Sequence, residues 1–146
     1  MLSGIHPILS GDLLAALDRL GHGDELVVAD ANFPAHRIGE TVVEAPGLTA
    51  PAVVQAIRTV LPLDAYEAES VLLMQGEEPG PLPVPIELVA AAEVADDRRT
   101  ALDRFAFYER AASARLVVRT GELRPYGNLI IRKGVVNEYR SQGAAS

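Results

Sequence analysis

With no cysteine in the chain, proton-transfer and nucleophilic chemistry falls to three histidines, the carboxylates, the tyrosines and the hydroxyls. One histidine is unusually placed. His22 lies between two glycines in Leu20-Gly-His-Gly-Asp-Glu25, where the backbone can turn tightly and leave the imidazole accessible. An imidazole there can gain or lose a proton near neutral pH, and it can equally just cap the carbonyls of a preceding helix. Asp30 follows the apolar run Leu26-Val-Val-Ala29 and opens Asp30-Ala-Asn-Phe-Pro-Ala-His36. An aspartate at a strand end is ordinarily a turn former, but in α/β folds ligands gather beyond the C-terminal ends of strands. His22 and Asp30 thus bracket one short strand, and only the local geometry decides whether the carboxylate returns to the imidazole.

Further along, Tyr126-Gly127-Asn128 joins a phenol, a backbone open to close approach and an amide that both donates and accepts. That set suits a neutral polyol, and it also suits an ordinary turn. Arg104 offers a guanidinium for hydroxyls or a carboxylate, or it is a solvated helix residue. Phe105, Phe107 and Tyr108 are expected in core or subunit contact. As a metal set, His22, Asp30 and His36 match no compact ligand motif, so no metal is expected. His6, before Pro7, is expected at the surface or in packing, and His36 to brace its loop.

These residues need elements to hold them. Ser10 to Leu20 predicts a helix with Ser10 as N-cap, one Leu13, Leu14, Leu17 and Leu20 face, and Gly21 as C-cap. Leu26–Ala29 predicts a strand buried on both faces, and Thr41–Val43 a second. Thr49 and Pro51 open a helix that Pro62 stops. Val71–Met74 predicts a third strand. Residues 76–85, with Pro79, Pro81, Pro83 and Pro85, predict an irregular connection. From Ile86 to Ala114 the composition favours helix in two pieces around Asp96-Asp97, with Leu102, Phe105 and Tyr108 on one stripe. Leu116–Val118 and Leu129–Ile131 predict two closing strands around a polar loop. The class is therefore α/β, one compact domain over 1–146 with a central sheet flanked by helices and no separate linker.

Composition narrows the function. At 146 residues, 49% hydrophobic and 23% charged, the chain can bury one sizeable core. A net charge of -7 with no basic cluster argues against nucleic acid. No run is long enough to span a membrane, and the N-terminus carries no export pattern, so a cytoplasmic location is expected.

Four segments together resemble one family: Leu20-Gly-His-Gly-Asp-Glu25, Asp30-Ala-Asn-Phe-Pro-Ala-His36, Arg104-Phe-Ala-Phe-Tyr-Glu-Arg110, and Thr120-Gly-Glu122 before Tyr126-Gly-Asn-Leu-Ile-Ile-Arg-Lys-Gly134. Their order and spacing are similar to the L-fucose mutarotase and D-ribose pyranase family, closest to the fucose branch, over nearly the whole chain. The resemblance implies that His22 corresponds to the proton donor, and that Asp30, Arg104, Tyr126, Gly127 and Asn128 correspond to positions that bind the sugar. It also implies a monosaccharide substrate, no cofactor, and a homo-oligomer, commonly a ring-like decamer, with sites completed by neighbouring chains. Asn32 stands where the fucose branch carries histidine, and the proline-rich segment is shorter, which leaves the sugar open between fucose and a relative. A ribose-directed pyranase or a sugar-binding module without turnover are the alternatives.

Overall fold

Strands β1 (Glu25–Ala29), β3 (Val71–Met74), β5 (Leu116–Thr120) and β6 (Leu129–Arg132) are almost wholly apolar and buried along their length, as strands covered on both faces must be. In the computed structural model, which describes Met1–Tyr139, they are joined by β2 (Val42–Ala45) and β4 (Arg99–Leu102). The sheet runs β2-β5-β1-β6-β3-β4. β6 is antiparallel to both neighbours, while β1 with β5, β2 with β5 and β3 with β4 are parallel. All strands except β6 therefore share one direction and deliver their C-terminal ends to the same edge.

Alternation along β1 sorts the core into two layers. Leu26 and Val28 meet helices α1 (Gly11–Asp18), α3 (Ala50–Arg58) and α4 (Pro83–Ala92) through Leu13, Leu17, Val53, Ile57 and Leu88. Val27 and Ala29 face the other way, onto Phe33, Phe107 and Ala111, with α2 (Ala35–Ile38) and α5 (Arg104–Ala112) supplying that cover.

Four expectations change. The first helix has its Ser10 cap, whose hydroxyl accepts the Leu13 N–H, but it ends at Arg19. Gly21 gives its N–H to Asp24 Oδ2 (2.8 Å), and the left-handed residue is Gly23, at φ 82. Residues 99–102, expected to be helical, form β4, because pairing with β3 at the sheet edge outweighs a modest helical preference. Phe105 points outward at 74% exposure, and Phe107 and Ala111 fill the core instead. Pro83 and Pro85 belong to the first turn of α4, where a missing N–H costs no helical bond.

Candidate active site

The shared edge of the parallel strands gathers most of the polar residues singled out above. Asp30 leaves β1 and Asn128 enters β6, and because these strands are antiparallel neighbours the two meet. Asp30 donates its N–H to Asn128 Oδ1 (2.8 Å), while Asn128 Nδ2 donates to Asp30 Oδ2 (2.8 Å) and lies 3.7 Å from Met74 Sδ. Asp30 Oδ1 accepts the Asn32 N–H at 2.9 Å. Asn128, 3% exposed, thus commits both ends of its amide to fixing the half-buried Asp30 carboxylate. Arg104 arrives at the same edge because β4 ends there and Asp103 caps α5, accepting the Ala106 N–H at 2.9 Å. Tyr126 turns in at φ 61, and its hydroxyl accepts the Glu77 N–H at 3.2 Å.

Between them lies a cleft of about 310 Å³. Asp30, Asn32, Arg104, Arg124, Tyr126 and Asn128 supply its polar lining, and Phe33, Met74, Tyr108, Leu123 and Pro125 supply apolar surface. Gly127 does not line it. Arg124 binds Glu87 (2.7 Å) and Glu122 (2.9 Å), so its charge is matched by carboxylates. The Arg124 hydrogen bonds to Glu122 hold that carboxyl below its usual range against the opposing effect of burial. A polar cleft with an apolar wall and balanced charge suits an uncharged, hydroxylated ligand.

His22 is elsewhere. It precedes β1 and so stands at the opposite sheet edge, a full strand of about 17 Å away. Gly23 pins the turn by donating its N–H to the Lys133 carbonyl at 2.9 Å. The carboxylate that meets the imidazole is Asp64, not Asp30: His22 Nε2 lies 3.0 Å from Asp64 Oδ1. Asp64 is 2% exposed. Burial pushes its carboxyl up, but the N–H groups of Glu67 (3.1 Å) and Tyr66 (3.2 Å), with His22, bring it below the ordinary aspartate range. As an ionised carboxylate it only accepts, so Nε2 carries the hydrogen and Nδ1 is left free. Tyr66 packs edge-on against the half-exposed imidazole at 5.1 Å. Asp64 was invisible in the sequence, since a single aspartate 42 residues from its partner carries no local signal. His36 pairs with exposed Glu44 (2.7 Å), and among the described residues no group of three or more His, Asp or Glu is placed to hold a metal.

Residues 3–136 match the model of the RbsD / FucU transport protein family. The chain belongs to this family. Among its relatives, an L-fucose mutarotase of Histophilus somni (strain 2336) is 43% identical over 140 residues, 92% of this chain and 97% of that protein. The chain superimposes on the fucose mutarotase of Streptococcus pneumoniae, solved in complex with L-fucose, with TM-score 0.85 and 34% identity over 92% of this chain and 99% of that one. Bacillus subtilis RbsD complexed with D-ribose, at 23% identity and TM-score 0.72 over 93% and 99% of the two chains, shares the fold. The six-stranded mixed sheet with its helices is thus the architecture of the family.

Proposed function

We propose that this chain is a monosaccharide mutarotase, an isomerase that interconverts the α and β anomers of L-fucose or a closely related sugar, and that it works as a cytoplasmic homo-oligomer, in a decameric ring. The observation that carries the proposal is the division of labour within one chain. A half-exposed imidazole with one nitrogen tied to a buried carboxylate stands at one sheet edge, and a charge-balanced hydroxyl-binding cleft stands at the other. A neighbouring copy brings the two together. The similarity to relatives named L-fucose mutarotase supports the same chemistry.

Mutarotation breaks the bond between the anomeric carbon and the ring oxygen and reforms it on the other face of the aldehyde. The ring oxygen gains a proton as the bond breaks, and the anomeric hydroxyl loses one. His22, protonated on both nitrogens, gives the Nδ1 proton to the ring oxygen and takes it back on closure, while Asp64 holds Nε2 and fixes the ring. Water accepts the second proton. Asp30, Arg104 and Tyr126 hold the hydroxyls, with Asn128 keeping the Asp30 carboxylate in place. No step calls on a metal or cofactor. Saturation-transfer NMR on L-fucose, D-ribose and D-galactose, without metal or nucleotide, tests this. Faster exchange for fucose or a near relative is expected, and no acceleration for any of these sugars would overturn it.

A further inference from the structure

The loop that carries Tyr126 needs an anchor. Tyr126 sits in the left-handed region, at φ 61, which a non-glycine residue keeps only where its surroundings enforce it. Gly127 follows with no room for a side chain: a Cβ there would lie 2.7 Å from Glu122 Cγ and 3.4 Å from Val84 Cγ1 of α4. The loop therefore crosses directly over the Glu122 side chain.

Glu122 itself is 3% exposed and does not line the cleft. Its carboxylate accepts the Arg124 N–H (3.3 Å), Arg124 Nε (3.1 Å) and Arg124 Nη2 (2.9 Å), curling the chain just before Pro125 and Tyr126. Arg124 Nη1 reaches Glu87 on α4 at 2.7 Å. The backbone is tied as well, since Glu122 N–H donates to Thr120 Oγ1 (3.2 Å) and its carbonyl accepts the Ala31 N–H (2.9 Å), one residue beyond Asp30. One buried residue thus ties the loop that holds Tyr126 and Asn128 to the end of β1 through its backbone and, through Arg124 and Glu87, to α4.

We propose that Glu122 is a positioning residue for sugar binding, acting through Arg124 to hold Tyr126 and Asn128 in their binding conformation, with Glu87 as the outer leg of the clamp. This rests on the monosaccharide function proposed above. In Glu122→Gln the amide keeps the shape, but one oxygen becomes an NH2 group facing the guanidinium, so the two-pronged grip is lost. Binding of sugar weakens more than the proton transfer at His22, because His22 lies at the other edge of the sheet.

Exchange kinetics on the intact oligomer, read as KM and kcat separately, test the proposal. Glu122→Gln is expected to raise KM about 10-fold or more with kcat changed less than about 3-fold. A residue that merely stabilised the fold would lower the active fraction and leave KM where it was, and that result would overturn the proposal. Glu87→Gln, at a half-exposed position, keeps the fold and is expected to raise KM about 2- to 5-fold. Should Glu122→Gln not fold, an unchanged KM in Glu87→Gln would be the overturning result. Wild-type protein inactive on every sugar would contradict the mutarotase function alone. The clamp would then be read from amide hydrogen exchange at residues 126–128, expected to quicken in Glu122→Gln and, if unchanged, contradicting it.

Discussion

An imidazole that must give a proton and take it back works best with one nitrogen tied and the other open, which is the state Asp64 imposes on His22. His22→Ala is expected to slow anomer exchange about 100- to 10,000-fold while sugar binding stays measurable by titration. Asp64→Asn presents either an oxygen or an NH2 group to Nε2 and no longer fixes the ring's tautomer and orientation, so exchange should fall about 10- to 100-fold, with the imidazole still in place. The Asp64 carboxylate also links folding to pH. Burial opposes its ionisation, but the loop N–H groups and His22 more than compensate, so the folded protein holds it below the ordinary range. A group depressed in this way adds stability above its unfolded pKa of about 4, and that stability disappears as the pH falls through the lower folded value. Circular dichroism on acidification should therefore show a shallower loss of stability for Asp64→Asn than for the wild type below about pH 4. At this scale His22, Asp30 and Tyr126 stood out in the sequence as candidates, because glycine neighbours and strand ends are local signals. Asp64 and the Glu122–Arg124 grip did not, since each acquires its meaning only from a partner or a loop crossing set by the fold.

Among the elements, strands buried on both faces announced themselves as short apolar runs, and β1, β3, β5 and β6 were legible to within two residues. β4 was not. Its Arg-Thr-Ala-Leu composition has no strand pattern of its own, and it becomes a strand because β3 offers it an open parallel edge. The aromatic stripe differed as well, since α5, from Arg104 to Ala112, turns Phe107 inward and Phe105 outward. Chemical denaturation can check this orientation. Phe107→Ala should cost about 3–5 kcal/mol, as a cavity in a packed core does, whereas Phe105→Ala should stay within about 0.5 kcal/mol in the unassembled chain. Equal losses would contradict the placement of α5, which matters because α5 carries Arg104 into the cleft.

For the molecule as a whole, five strands pointing one way put the cleft at one edge of the sheet and His22 at the other, and no rotamer change spans that distance. Exposed Tyr66 beside His22, and exposed Phe105 and Leu123 beside the cleft, are apolar surface of the kind a second copy would cover. Light scattering should find an oligomer, and a fully active monomer would contradict the shared site. The decisive measurement mixes two inactive variants, His22→Ala and Asp30→Ala, lets their subunits exchange, and follows anomer exchange of L-fucose by saturation-transfer NMR. Each variant alone should be slow. If one copy supplies His22–Asp64 and its neighbour the Asp30 cleft, random pairing rebuilds about a quarter of the sites from two intact halves, and activity returns in that proportion. No recovery in oligomers shown by native mass spectrometry to contain both chains would contradict the account.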